Sequence, residues 1–170
     1  TVTPDGVVYG GTSGHHAHCF VAMFHGATGF VFDLGTVDAG TDCTAICCTR
    51  GKVVVAVQSE QGAELVRLPL QPLPFDLLQE WGFTRPNQER VVLPVEAGED
   101  VLDLVPDPSC ADAVIIATTS GLWRLKDGAE MPELLTSVPV RGHLLSAGST
   151  LLGRDTGDTL WRYDIEMSVV

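Results

Sequence analysis

Short apolar runs alternate with clusters of small and polar residues along the whole chain, and four of these alternations share one form. In each, an apolar strand passes into small and polar residues and then into a second apolar or aromatic strand. Val7-Val8-Tyr9-Gly10-Gly11-Thr12-Ser13 leads to His18-Cys19-Phe20-Val21. Val53-Val54-Val55-Ala56-Val57-Gln58-Ser59 leads to Glu64-Leu65-Val66-Arg67-Leu68. Val114-Ile115-Ile116-Ala117-Thr118-Thr119-Ser120 leads to Leu122-Trp123-Arg124-Leu125, and Leu151-Leu152-Gly153-Arg154-Asp155-Thr156-Gly157 leads to Leu160-Trp161-Arg162-Tyr163-Asp164. Apolar, β-branched runs of this length, bounded by turn residues, predict strands.

Aligning the four phrases fills in the rest of each repeat. The second predicts strands over 43–48, 53–57, 65–68 and 90–95. The third predicts 101–105, 114–117, 122–125 and 134–137, and the fourth 144–147, 151–152, 160–163 and an outer strand at 167–170. The first predicts 7–10, 18–24 and 30–34, with no inner strand before Val7. Turn signals such as Asp5-Gly6, Thr28-Gly29, Arg50-Gly51, Asp127-Gly128 and Gly157-Asp158 fall between strands. A period of about 40 residues in an all-strand chain is the mark of a β-propeller. The fold class expected is all-β: blades of four antiparallel strands, about three and three-quarter repeats, forming part of a ring. The repeats fall near 5–40, 41–98, 99–139 and 140–170 of a single segment, 1–170. A β-sandwich is the alternative, but it would not produce a repeated phrase. The register places Trp123 and Trp161 at matching third-strand positions. Val53-Val54-Val55-Ala56-Val57 is apolar throughout, as suits a strand covered on both faces.

One stretch breaks the period. The second repeat is about 60 residues long, and the excess is 71–88. Within it, 74–82 reads as a short helix, with Pro74 in the first turn and Gly82 at the cap. Two roles fit it: a lid over the blade edge through Leu77, Leu78 and Trp81, or a functional loop.

Charge narrows the partners. The 170 residues carry 22 acidic and 10 basic side chains, a formal charge of −12, and only two lysines, Lys52 and Lys126. Such a surface repels phosphate backbones and anionic lipid, so neither a nucleic-acid nor a membrane partner is expected. No apolar run approaches the roughly 18 residues of a spanning helix, and no charged-then-apolar leader opens the chain. The cysteines number five (Cys19, Cys43, Cys47, Cys48 and Cys110), an odd count that does not suit a full disulfide framework. Cys47 and Cys48 are strand neighbours pointing to opposite faces, so neither a bridge between them nor joint metal binding is expected. Reduced core thiols favour a cytoplasmic location.

Candidate chemistry is sparse. Gly14-His15-His16-Ala17-His18, with His25 beyond, is the densest group of potential ligands. His16 and His18 share one strand face and suit a divalent metal, while His15 points away. A polar hairpin tip is the plain alternative. Asp42 and Asp100 precede the inner strands of successive repeats at matching places. Together with His18 they are the candidate ligand-binding residues, and as turn caps they have an ordinary structural role too. Gly10-Gly11-Thr12-Ser13-Gly14 lacks the lysine and spacing of a phosphate loop. No catalytic residue is assigned.

Asp5-Gly6-Val7-Val8-Tyr9-Gly10-Gly11-Thr12, with the later Ala27-Thr28-Gly29-Phe30-Val31-Phe32-Asp33-Leu34-Gly35, resembles blades of bacterial β-propellers of the broad WD-repeat-like and quinoprotein-like group. Leu160-Trp161-Arg162-Tyr163-Asp164 is similar to the third strand of such blades. The resemblance covers nearly the whole chain and implies a fold that hosts scaffolds, binding proteins and enzymes alike. Closed propellers have four to eight blades, so an incomplete set calls for completion. The expected function is a non-catalytic binding and assembly module that completes a ring with another propeller segment or a second copy of itself. The alternative is a subunit or fragment of a propeller enzyme, such as a metal-assisted carbohydrate lyase or hydrolase, for which the histidine cluster would supply ligands.

Overall fold

The computed structural model describes residues 1–37, 41–59, 62–70, 88–95 and 98–165. The helix expected over 74–82 and the outer strand expected over 167–170 lie outside the described residues. Fourteen strands and no helix are found among the described residues. The first sheet holds β1 (Val8–Gly11), β2 (His18–His25) and β3 (Thr28–Thr36). The second holds β4 (Asp42–Cys48), β5 (Lys52–Ser59), β6 (Gly62–Pro69) and β7 (Glu89–Val92). The third holds β8 (Val101–Pro106), β9 (Ala113–Thr118), β10 (Leu122–Lys126) and β11 (Glu133–Thr136), and the last β12 (Leu145–Ala147), β13 (Thr150–Arg154) and β14 (Leu160–Asp164). Every sheet is an antiparallel meander in chain order, which is the build of a propeller blade.

The first blade differs from expectation at its start. Val2 pairs with Val8, and the backbones of Thr1 and Tyr9 exchange hydrogen bonds of 2.9 Å in both directions. Thr1–Thr3 thus takes the inner position of that blade as a bridge too short to show a strand pattern in the sequence.

Three apolar cores separate the four sheets. The first joins Val7, Tyr9, Cys19, Val21 and Leu34 to Val53, Val55, Val57, Val66 and Leu68. The second joins Val54, Ala56 and Leu65 to Leu104, Val114, Ile116 and Leu125, and the third joins Ile115, Ala117 and Leu122 to Leu144 and Leu151. A strand sends successive side chains to opposite faces, so β5 and β9 each feed two cores and are apolar without a break over Val53–Val57 and Ala113–Ala117. A two-sheet sandwich would have one core between two sheets, and this chain has three between four. The inner strands β4 and β8 carry the same irregularity, a bulge between Cys43 and Ala45 and another between Val101 and Asp103.

Trp123 pairs with Ile116 and Trp161 with Gly153, each on the third strand of its blade and each turned toward the preceding blade. The expected equivalence of the two tryptophans is therefore met. The partly buried Cys48 packs on the first core and the buried Cys47 on the second, the opposite faces that their adjacency requires.

Candidate functional site

In a four-strand meander, the hairpins between second and third strands emerge at the same end as the links between blades. His16, His18, Asp42 and Asp100 all belong to that end. His15 and His16 stand exposed in the β1–β2 hairpin, while His18 opens β2. The hairpin is closed by Thr12, whose N–H donates to the His18 carbonyl at 2.9 Å and whose Oγ1 accepts from the His18 N–H at 3.2 Å. It is also tied to the next blade. Gly14 N–H donates to the Thr41 carbonyl at 3.0 Å, and Ser13 bridges to Asp42.

His18 is held by a residue that inspection of the sequence passes over. Its Nδ1 lies 3.0 and 3.1 Å from the two carboxylate oxygens of Asp33 on β3. Asp33 is itself fixed, because its Oδ1 accepts the Gly35 N–H at 2.7 Å. A carboxylate on one imidazole nitrogen sets the tautomer and leaves the other nitrogen as the working atom. Asp42 opens β4, and its Oδ2 accepts the Thr41 hydroxyl at 3.0 Å. Asp100 is exposed just before β8. Cys43 faces Val57 and Val101 faces Thr118, each directly before its strand's bulge, so the preceding Asp42 and Asp100 occupy matching steps of successive blades. The fold brings Asp42 beside the histidine hairpin and leaves Asp100 one blade away. Among the described residues, no three histidine, cysteine or acidic side chains gather as a metal-ligand set.

Four of the five thiols sit in or against the cores. All five cysteines are free. Burial, helped by Cys43 and Cys48, pushes the Cys19 thiol up to about 12, and burial beside Cys48 and Asp103 pushes Cys47 to about 12. Burial raises Cys43 and Cys48 as well. Such thiols stay protonated and unreactive at neutral pH.

The opposite end of the blades carries an ion network at the seam of the second and third sheets. Lys52 Nζ lies 2.8 Å from Glu89 Oε2 and 2.9 Å from Asp127 Oδ1. Arg67 Nε lies 3.2 Å from the same Glu89 oxygen, and Arg67 Nη1 donates to the Lys126 carbonyl at 3.4 Å. The hydrogen bond to Glu89 raises Lys52 above its ordinary value, and the one to Lys52 holds Asp127 below its own. Two cations and two carboxylates balance, so the network joins blades and leaves no net charge to attract an ion. A second pair lies deeper: Arg124 Nε is 2.6 Å from Asp107 Oδ2, whose side chain is wholly buried. The rarity of lysine in this acidic chain was the one sequence signal for the network.

No family model matches the chain, and no curated protein does. Among solved structures, the chain is similar to that of TolB from Acinetobacter baumannii, with 13% identity and a TM-score of 0.55. The match covers 94% of this chain and 41% of that one, so the chain spans about two fifths of the length of that structure. The likeness is one of fold. This chain is built of β-propeller blades.

Proposed function

We propose that the chain is a non-catalytic binding and assembly module, a set of propeller blades that completes a ring with a partner segment or a second copy. One observation carries this reading. Of the ten large hydrophobic side chains exposed among the described residues, six lie on the two outermost blade faces. Val2, Val8, Ala22 and Val31 form one cross-strand row on the first blade, facing away from the second. Val31 is 70% exposed there and Phe24, on the same face, 72%. On the last blade Leu145 (62%), Leu152 and Leu160 (82%) point away from the third. Among the described residues, the other blade faces meet at the three cores.

Soluble proteins rarely leave contiguous apolar patches beyond a few hundred Å2. Withdrawing roughly 400 Å2 of apolar surface from water contributes about 10 kcal/mol before the costs of association. Light scattering at micromolar concentration, read beside binding of a hydrophobic dye, tests the reading. Bare faces give either a particle heavier than the 18.1 kDa chain or a dye-binding monomer. A folded monomer that binds no dye would overturn it.

The His18–Asp33 pair favours a second reading, part of a metal-assisted propeller enzyme acting on carbohydrate. There the free nitrogen of His18 and the imidazole of His16 would meet a divalent ion, with further ligands from other blades. Zinc titration of the chain and of His18→Ala tests it. Equal, weak uptake by both would remove it.

A further inference from the structure

We propose that Cys19 and Cys43 are a redox latch between the first and second blades, two thiols placed to close into a disulfide when a small disulfide oxidant reaches them. The latch is open in this structure.

The placement follows from the β1–β2 ladder. Tyr9 turns its backbone N–H and carbonyl to Thr1, so toward β2 it stands at a non-hydrogen-bonded step, opposite Val21. Two residues on, Gly11 stands at the same kind of step, opposite Cys19. The next residue, Thr12, donates its N–H to the His18 carbonyl, as the alternation requires. Facing side chains come closest at non-hydrogen-bonded steps, with Cβ atoms about 4.5–5.5 Å apart. Gly11 has no Cβ, and Cys43 of β4 fills its place: a Cβ on Gly11 would collide with both Cβ and Sγ of Cys43. Cys43 therefore stands toward Cys19 nearly as a side chain of Gly11 would. A disulfide needs Cβ atoms about 3.5–4.5 Å apart, so a shift of about an ångström between the blades brings the sulfurs into bonding range.

The surroundings agree. Cys19 and Cys43 both face the first core. Burial pushes the Cys19 thiol up to about 12, and after burial the neighbouring Cys43 thiol raises it most. Cys48 packs on the same core but stands at the far end of β4.

Position gives the latch its consequence. Cys19 directly follows His18, and Cys43 directly follows Asp42. A bond between them pins the histidine hairpin to the start of the next blade, where Ser13 already bridges to Asp42. In the closing step the two thiols give up two protons and two electrons as their S–S bond forms. The oxidant's S–S bond breaks and takes them up as two new thiols. Buried and protonated, the pair does not react in the closed protein at neutral pH. Reaction follows when the first blade lifts from the second, a local opening, and the bond then holds the two blades shut.

Disulfide mapping tests the latch. The chain is held at pH 8 in reduced and oxidised glutathione with urea below its midpoint. It is then stripped of reagent, unfolded, alkylated and read by mass spectrometry. One bond should join Cys19 to Cys43, leaving the other three of the five thiols to alkylate. The urea midpoint should rise above that of the reduced chain, because the bond restricts the unfolded state, and dithiothreitol should bring it back. Glutathione should leave the midpoint of Cys43→Ser unmoved. Mapping of the wild-type chain decides the pairing even where that variant does not fold. A Cys19–Cys48 bond, or thiols capped by glutathione with no internal bond, would overturn the proposal. So would a Cys19–Cys43 bond that lowers the midpoint, since the blades would then have to be strained to make it.

Discussion

The indole of Trp161 fills the space that a Cβ on Gly153, its cross-strand partner, would need. The blade can close only because that position has no side chain. Gly153→Ala should therefore force the ring off the core and cost about 1–3 kcal/mol, the usual price of overpacking. Gly10→Ala meets Phe20 likewise, but on a face that none of the three cores covers, so its cost should be smaller. Urea unfolding of both variants measures the effect. A loss of less than about 0.5 kcal/mol at both would mean that the rings are free to move aside.

The seam network should respond to pH at two edges. Asp127 has a folded value below its ordinary 3.8, so its contribution is present above pH 3.8 and is lost as pH falls through the lower folded value. Lys52 has a folded value above 10.5, so its contribution is full below pH 10.5 and is lost as pH rises through the folded value. Between these edges it is flat. Asp127 is half exposed, so screening limits the effect to about 1 kcal/mol or less. Comparing wild-type and Asp127→Asn stability at pH 3 and pH 7 checks this. The gap between them should be larger at pH 7.

How much of this was legible in the sequence depends on how far apart the partners lie. Blade strands showed because each phrase is local and recurs, and because the unbroken apolar runs Val53–Val57 of β5 and Ala113–Ala117 of β9 announce two covered faces. The Trp123 and Trp161 equivalence followed from the same phrase. The partner of His18 did not show, because Asp33 comes beside it only through the β2–β3 ladder and its bulge between Cys19 and Phe20. Lys52 and Asp127 sit on different blades, and no local spacing foretells a contact made across a seam. Pairing of Thr1–Thr3 with β1 was hidden because so short a bridge has no periodicity to read.

Thiol chemistry should separate the folded from the unfolded chain. Cys19 and Cys47, pushed to about 12 and buried, should resist alkylation in the native protein at pH 8. Denaturation without reductant should expose all five thiols. Mass spectrometry after alkylation counts them. Finding a mass deficit of one bridge would contradict the opposed faces of Cys47 and Cys48. Each raised thiol contributes stability below its unfolded value of 9.0, and that contribution fades as pH rises from there toward 12.

The buried pair of Arg124 and Asp107 should be the least replaceable contact of the third blade. Asp107 Oδ1 accepts both the N–H and the hydroxyl of Ser109 at 2.7 Å, and Oδ2 faces Arg124 Nε at 2.6 Å. Asp107→Ala would leave a mostly buried guanidinium without its counter-ion. Losing one partner of such a pair costs about 3–5 kcal/mol, because the remaining charge stays out of water. Arg124→Met should cost less, since Asp107 keeps its two bonds from Ser109 and the methionine stem still packs beside the strand. Removing both charges together in Asp107→Asn with Arg124→Met should recover part of the Asp107→Ala loss. Urea midpoints of the three variants give the order. If Asp107→Ala proved milder than Arg124→Met, water would have to reach Arg124 once the carboxylate is gone, and the seam there would be looser than its burial implies.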